Sequence, residues 1–351
     1  MDKTTKSMKR KTICILSSVA VVLLLVSALA YVTYTVVMVP VVEGEETVYI
    51  QVLPGDNTQR VGERLTSAAT FKTMRGFSPL MKYYKYDMRV KPGNYTLRPG
   101  DSMRDICLRL LSGNQTPVRL VVPSVRTLDR LAGAVGKQLM ADSAAVMAML
   151  ADERLIDSLG YTKETFPCLF IPNTYEVYWT MTSEQFVARM VKENARFWTS
   201  ARMAKAKAQS LTPNEVITLA SIVDEETAKD DEKPMVAGLY LNRLKRSMLL
   251  QADPTVKYAL GDPELRRILY VHLQTDSPYN TYKYAGLPPG PIRIPTMAAI
   301  EAVLNPAKHS YLYMCAKEDF SGYHNFATTL TQHNANARRY QQALNRIGIK
   351  R

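Results

Sequence analysis

The stretch Thr212 to Thr227 carries the residues best suited to chemistry. Thr212-Pro213-Asn214-Glu215 has a capping threonine, a proline at the first helical position and a glutamate three residues after the cap, a pattern that predicts a helix start. The helix continues through Val216-Ile217-Thr218-Leu219-Ala220-Ser221-Ile222-Val223 to about Ala228 and holds three consecutive acids, Asp224, Glu225 and Glu226. Helical geometry separates them. Val223, Ile222 and Leu219 lie three, four and seven residues before Glu226, so Glu226 continues the apolar stripe and is expected to point into the protein or a cleft. Asp224 looks back to Ala220 and Ser221, and Glu225 to Ser221 and Ile222, so solvent is the expected surrounding of both. Apolar surroundings raise a carboxyl pKa, and so does the negative end of a helix. A carboxylic acid kept protonated near neutral pH is what protonation of a glycosidic oxygen requires. The plainer reading of Glu226 is an ion pair with Lys229 on a solvated turn.

The loops that follow are of matching chemistry. A second helix is expected from about Pro234 through Leu244, leading into Leu250-Gln251-Ala252-Asp253-Pro254-Thr255, where Asp before Pro disfavours helix and favours a turn. Tyr279-Asn280-Thr281-Tyr282 and Gly286-Leu287-Pro288-Pro289-Gly290-Pro291-Ile292 then place aromatic and amide side chains beside a rigid proline segment. Aromatic faces suit the CH faces of sugar rings, and amides suit their hydroxyl and acetamide groups. Cys14, Cys107, Cys168 and Cys315 have no metal-like spacing, and no two of His272, His309, His324 and His333 stand four residues apart. No metal and no cofactor is expected, and a disulfide among Cys107, Cys168 and Cys315 stays open.

These elements need a scaffold and a location. No charged residue occurs between Lys11 and Glu43, and Ile13 to Val39 is almost wholly apolar, longer than the roughly 20 residues that span a bilayer. A signal peptide cut after Ala30 is the competing reading, but the apolar run continues well past it. The basic flank before the run and Glu43, Glu45 and Glu46 after it place the N-terminus in the cytoplasm and the rest outside. The net charge of +13 suits nucleic acid, anionic lipid or an acidic polymer, and this topology removes nucleic acid from the choice. Beyond the anchor, a strand at Val48 to Val52, a turn at Pro54-Gly55-Asp56 and a helix from Arg60 to Ala69 are followed by a second such module. It comprises Lys91 to Leu97, the turn Pro99-Gly100-Asp101-Ser102, and a helix from Met103 to Leu111 ended by Gly113. Residues 124–210 read mainly as helices, interrupted by an apolar-aromatic loop at Phe170 to Tyr175.

In its motifs the chain resembles the bacterial endolytic murein transglycosylase family, also called MltG or YceG-like. The segment Leu219 to Thr227, Asn242-Arg243-Leu244, Leu250 to Thr255, Tyr279 to Tyr282, Gly286 to Ile292, Asn305-Pro306-Ala307 and the tail His324, Phe326, Thr328, Leu330, His333 and Asn334 carry the resemblance, with looser matches at Lys91 to Leu97 and Phe170 to Tyr175. Asp224 stands where relatives often have Glu, and Ala252 where they often have Thr or Ser. The resemblance implies an α+β fold: a single N-terminal transmembrane helix (12–39) after a cytoplasmic tail (1–11), a small LysM-like module (45–118), a connecting helical region (119–204) and a mainly helical catalytic domain with a loop-built cleft (205–351). It also implies lytic cleavage of the MurNAc-β-1,4-GlcNAc bond within nascent glycan strands. Glu226 would be catalytic acid and then base, and the muramyl O6 would close a 1,6-anhydro end, terminating glycan elongation. Substrate binding is expected of Gln251, Asp253, Thr255, Asn280, Tyr282 and His324, with His333 as a support. Expected partners are peptidoglycan glycan strands and the cytoplasmic (inner) membrane, with peptidoglycan synthases or divisome proteins implied by the family. A murein hydrolase using Asp253 as second carboxylate, and a non-catalytic murein-binding anchor, are the alternatives.

Overall fold

Helix α1 (Lys3–Val37) opens the chain, and its stretch Thr12–Val37 has a mean hydropathy of 2.8 with none of that surface buried. The structure, a computed structural model, describes residues 3–262, 265 and 268–347. Met1 and Asp2 of the expected tail, and 263, 264, 266, 267 and 348–351 of the expected catalytic segment, lie outside the described residues. Two compact units are formed, Met1–Val118 with Glu176–Thr180, and Arg119–Tyr175 with Met181–Arg351. Both are built from helices and two-stranded sheets, an α+β architecture.

In unit 1 the chain continues into β1 (Val48–Val52), α2 (Thr58–Ala68), α3 (Phe77–Tyr83), β2 (Gly93–Leu97) and α4 (Met103–Ser112). The two strand–turn–helix modules pair through their strands, antiparallel, with Ile50 opposite Tyr95. Helix α2 begins two residues earlier than the apolar pattern indicates because Asn57 Oδ1 accepts from Arg60 N at 3.0 Å. Ser102 and Asp105 form a capping box on α4, and Gly113, at φ 70°, ends it in the left-handed conformation that a side chain would strain. Ile50, Val52, Val61, Leu65, Tyr95 and Ile106 are the centre of the core.

After β3 (Val118–Val122) come α5 (Leu128–Gly136), α6 (Ser143–Leu150) and α7 (Glu153–Ser158), then β4 (Asn173–Val177), α8 (Ser183–Phe197) and α9 (Ser200–Ala208). The segment Phe170 to Tyr175, expected as a loop, follows a 3-10 turn, Phe166–Leu169, and from Asn173 on it is the start of β4. The rings here are core: Phe166, Phe170 and Phe186 of α8 are fully buried, Phe166 meeting Phe170 edge to face at a centroid separation of 5.4 Å and Phe170 stacking on Phe186 at 6.1 Å. The remainder is α10 (Pro213–Glu226), α11 (Lys233–Lys245), α12 (Asp253–Leu260), α13 (Met297–Leu304), the hairpin β5 (Tyr313–Ala316) and β6 (His324–Ala327), and α14 (Leu330–Arg346). Asp253-Pro254 begins α12 rather than a turn, because the proline's missing N–H costs nothing in a first turn. One core joins Cys168, Ile171, Phe197 and Ala206 to α10, α11 and α13, so segment 119–204, apart from Glu176–Thr180, belongs to the same unit as 205–351.

Helix α11 lies close against the loop after α13. Ala307 N donates to Pro234 O at 3.0 Å, and Asn242 Nδ2 donates to His309 O and Tyr311 O at 2.8 and 3.1 Å. A Cβ at Gly238 would stand 2.5 Å from Ala307 O and 2.6 Å from His309 Nε2. Gly238→Ala is therefore expected to cost about 1–3 kcal/mol by overpacking, read as a lower denaturant midpoint at unchanged slope. An unchanged midpoint would show that the loop can retreat freely.

Candidate active site

Helix α10 is apolar nearly all round, with Val216 to Asp224 buried, so it is a core helix that its neighbours surround rather than an amphipathic surface helix. Its start is fixed by the expected capping box: Glu215 N donates to Thr212 Oγ1 at 3.3 Å, and Thr212 N donates to Glu215 Oε2 at 2.7 Å. The proline segment is tied to its middle where Ile292 N donates to Ser221 Oγ at 3.0 Å. This rigid rod delivers the three acids to three different environments.

Asp224 and Glu225 are not solvent-facing, contrary to expectation. Asp224 is buried, paired with Lys233 Nζ at 2.8 Å and Arg293 Nε at 3.3 Å, and accepts from Thr296 N and Oγ1 at 3.0 and 2.6 Å. Burial opposes its ionisation, but the bonds from Lys233 and Thr296 and the Arg293 charge outweigh it and hold the carboxyl below the usual range. Glu225 accepts from Arg126 Nε and Nη2 at 2.9 and 2.5 Å and from Arg293 Nη1 at 2.9 Å. The apolar pattern could not reveal this, because both arginines come from elements distant in sequence.

Glu226 is half-buried and does not pair with Lys229. Its Oε1 accepts a 2.6 Å hydrogen bond from the phenol of Tyr240 on α11. Burial pushes its pKa up to about 7 against the opposing Tyr240 hydrogen bond; Asp253 and Glu225 add to the rise, and Arg243 opposes it. Burial first, and then the Glu226 charge, hold the Tyr240 phenol well above its usual range, so it stays a donor.

Glu226 opens on a polar cavity of about 230 Å³, shared with Tyr240 and Arg243 of α11, Gln251, Asp253, Tyr282 and His324. Arg243 is buried and organises the wall: Nε donates to Leu312 O at 2.6 Å, and Nη1 to Leu249 O, Leu250 O and Gln251 Oε1 at 3.0, 2.8 and 3.3 Å. Gln251 holds a strained left-handed backbone, φ 52°, with its N–H on Thr281 O at 3.1 Å. Tyr282 donates to Asp253 Oδ1 at 2.6 Å. Glu232, buried at the start of α11, accepts from His324 N at 2.7 Å and lies 2.9 Å from His324 Nδ1, which leaves Nε2 as the free ring nitrogen.

Of the expected binding residues, Gln251, Asp253, Tyr282 and His324 line this cavity with Glu226, whereas Thr255 and Asn280 do not. Both are fully buried and spent on structure. Thr255 Oγ1 donates to Ala252 O at 2.7 Å, and Asn280 Nδ2 donates to Leu273 O and Thr275 O at 2.9 and 2.7 Å. They brace the loops from which Gln251 and Tyr282 project. His333 stacks on Tyr313 at 5.5 Å and is also absent from the lining. Tyr240, Arg243 and Glu232 are the functional-looking residues the sequence reading missed. Tyr240 and Arg243 stand three apart on one face of α11, a detectable signal, but their meeting with Glu226 depends on how α10 and α11 pack.

All four cysteines are free, with Cys107 and Cys168 buried. Among the described residues no three His, Cys, Asp or Glu side chains are grouped as a metal would need. The arrangement has the chemistry a general acid needs: one carboxyl with a pKa near neutrality, a fixed phenol donor, and a wall of amide, carboxylate and imidazole groups suited to a polyhydroxylated substrate. The YceG-like family model matches residues 50–339, and the chain belongs to that family. It is 30% identical over 321 residues to the endolytic murein transglycosylase of Bacillus subtilis (strain 168), covering 86% of this chain and 87% of that one. It is 32% identical over 335 residues to the endolytic murein transglycosylase of Streptococcus pneumoniae serotype 2, covering 85% of this chain and 60% of that longer protein. The crystal structure of a yceG-like protein from Listeria monocytogenes superposes with a TM-score of 0.55 at 30% identity, over 83% of this chain and 99% of that one.

Proposed function

We propose that this chain is an endolytic lytic transglycosylase of peptidoglycan, cleaving MurNAc-β-1,4-GlcNAc bonds within nascent strands and leaving 1,6-anhydro-MurNAc ends. The observation that carries the reading is Glu226, a carboxyl of pKa about 7 held by Tyr240 in a cavity of sugar-compatible groups. The names of the Bacillus and Streptococcus relatives support the same reaction. Glu226 donates its proton to the departing GlcNAc O4 as the C1–O4 bond breaks, then takes the proton of the muramyl O6 as the O6–C1 bond forms. Gln251, Asp253, Tyr282 and His324 hold the glycan, and residues 45–118 of unit 1 are the LysM-like module. The N-terminal helix fits a single-pass anchor; the tail lies in the cytoplasm and the active site outside the inner membrane.

Asp253 shares the cavity with Glu226, which gives a two-carboxylate hydrolase a foothold. The two readings diverge on Asp253→Asn. Lytic chemistry needs no second carboxylate, so turnover of glycan strands is expected to fall by no more than about 10-fold, whereas loss of a nucleophile or water-activating base would cost about 10³-fold or more. A loss of the larger size would overturn the lytic assignment.

Tyr240→Phe removes a hydrogen bond that favours ionised Glu226, so the acid's pKa rises further. The alkaline limb of the kcat/KM profile is expected to move up by about 0.5–1 pH unit. An unmoved limb would mean that Glu226 is not the group whose protonation governs the rate.

A further inference from the structure

Unit 1 is joined to α1 with almost no intervening chain. The helix ends at Val37, while Val41 and Val42 are already buried in the unit's core. Val41 N donates to Asp101 O at 2.9 Å, Lys72 N donates to Val41 O at 2.9 Å, and Pro40 and Val42 bridge to Ser102 and Phe71. The last turn of α1 is itself a packing surface. A Cβ at Gly76 would come within 2.9 Å of both Val36 Cγ1 and Val36 O, with Met103 Cγ at 3.4 Å.

The apolar stretch Thr12–Val37, 26 residues, is about 39 Å long at about 1.5 Å per residue, against about 30 Å of hydrocarbon and about 40–45 Å with both headgroup layers. Centred in a bilayer, its outer end reaches the headgroup layer, and exposed Tyr34, about 14 Å from the midplane, stands at the edge of the hydrocarbon where an interfacial aromatic belt belongs. Gly76 and Met103, packed beside Val36, lie at that same depth.

Three exposed cations flank these contacts: Lys72 next to Phe71, Arg75 next to Gly76, and Arg104 next to Met103. The ion pairs of unit 1, Arg64 with Asp56 and Arg109 with Asp101, leave all three out. Among the nearby carboxylates, Asp101 is taken by Arg109, and Asp105 accepts from Ser102 N and Oγ at 3.1 and 2.6 Å, bonds that together with the neighbouring Arg104 charge hold its carboxyl below the usual range. Of the acids that follow the Val41–Val42 junction, Glu43 stands beside it, its N–H on Thr70 O at 3.0 Å, and Glu45 and Glu46 come after it along the chain.

We propose that Lys72, Arg75 and Arg104 form a collar around the exit of α1 that binds the phosphates of anionic phospholipids, seating unit 1 on the bilayer surface. The proposal rests on α1 being a membrane span. Continuity with that span and charge complementarity select a phospholipid surface as the occupant, since a rigidly joined unit at headgroup depth meets lipid before any other partner. The collar fixes the height of unit 1, so this part of the protein cannot swing away on a tether.

The full chain, reconstituted in nanodiscs of phosphatidylcholine alone or mixed with phosphatidylglycerol, tests this by the acetylation rate of Lys72 read by mass spectrometry, with Lys245 of unit 2 as reference. Lys72 is expected to react about 5-fold more slowly in the anionic discs, Lys245 equally in both, and the protection to vanish in Arg75→Gln/Arg104→Gln, whose side chains are exposed and leave the fold intact. Equal Lys72 rates in the two lipids, or protection that survives the double substitution, would overturn the collar. Alkaline carbonate extraction of the protein from liposomes would overturn its premise, the membrane span, and leave the glycan chemistry of the active site untouched.

Discussion

Glu226→Gln is expected to lower glycan cleavage by about 10²–10⁴-fold, the range that a positioned general acid contributes, with strand binding nearly unchanged because the amide keeps the shape and still accepts from Tyr240. The same substitution is expected to stabilise the fold at alkaline pH. The Glu226 carboxyl has its pKa raised by burial from 4.5 to about 7. A raised pKa means the fold favours the neutral form, so that contribution is complete below about pH 4.5 and is lost as the pH climbs through about 7. Above that value the native protein carries a half-buried charge that glutamine does not. The variant should therefore melt roughly 4 °C higher than the native chain at pH 8 and at the same temperature at pH 4.5. A variant less stable at both values would mean that Glu226 holds the structure together rather than being strained for use.

Lys233→Met is expected to have the largest effect on stability. Lys233 Nζ is buried between Asp224 at 2.8 Å and Asp230 at 2.6 Å and donates to Thr296 Oγ1 at 3.2 Å. Burial disfavours its charge, but the bonds to Asp224 and Asp230 prevail and raise its pKa, while Asp224 is held below its usual range. Removing the lysine strands a buried carboxylate at the end of the helix that carries Glu226, a loss of about 3–5 kcal/mol. The cation's contribution is present below its ordinary pKa near 10.5 and lost above its raised value; the carboxylate's is present above 3.8 and lost in stronger acid. Between about pH 4 and 10 the penalty should thus be constant, and it should shrink in stronger acid and again above the raised lysine pKa. Asp224→Asn/Lys233→Met should recover much of the loss, since no buried charge is left without its partner. A single variant within about 1 kcal/mol of the native chain would show that Arg293 alone suffices for Asp224.

The sequence made the site legible where the information is local. The Thr212 cap and the Pro213 start determine where α10 begins, and the stripe Leu219, Ile222 and Val223 leads to Glu226, the acid whose carboxyl meets the Tyr240 phenol. The strand–turn–helix pattern of unit 1 was readable for the same reason, since Asn57, Ser102 and Gly113 act on their own neighbours. What stayed hidden is the meeting of distant segments. Asp224 and Glu225 look like surface acids until Arg126, Arg293 and Thr296 are brought to them. Thr255 and Asn280 belong to recognisable motifs, and motif membership does not separate a residue that touches ligand from one that braces the loop beneath it. Asp253-Pro254 reads as a turn or a helix start with equal local justification, and burial of Thr255 and Val256 settles it.

The most direct test is to give uncrosslinked glycan strands to the purified full chain and to its Glu226→Gln variant and identify the new ends by mass spectrometry. The expected result is 1,6-anhydro-MurNAc ends, released from within strands, from the native chain alone. Reducing MurNAc ends, or anhydro ends made equally well by the variant, would contradict the assignment of lytic chemistry to Glu226.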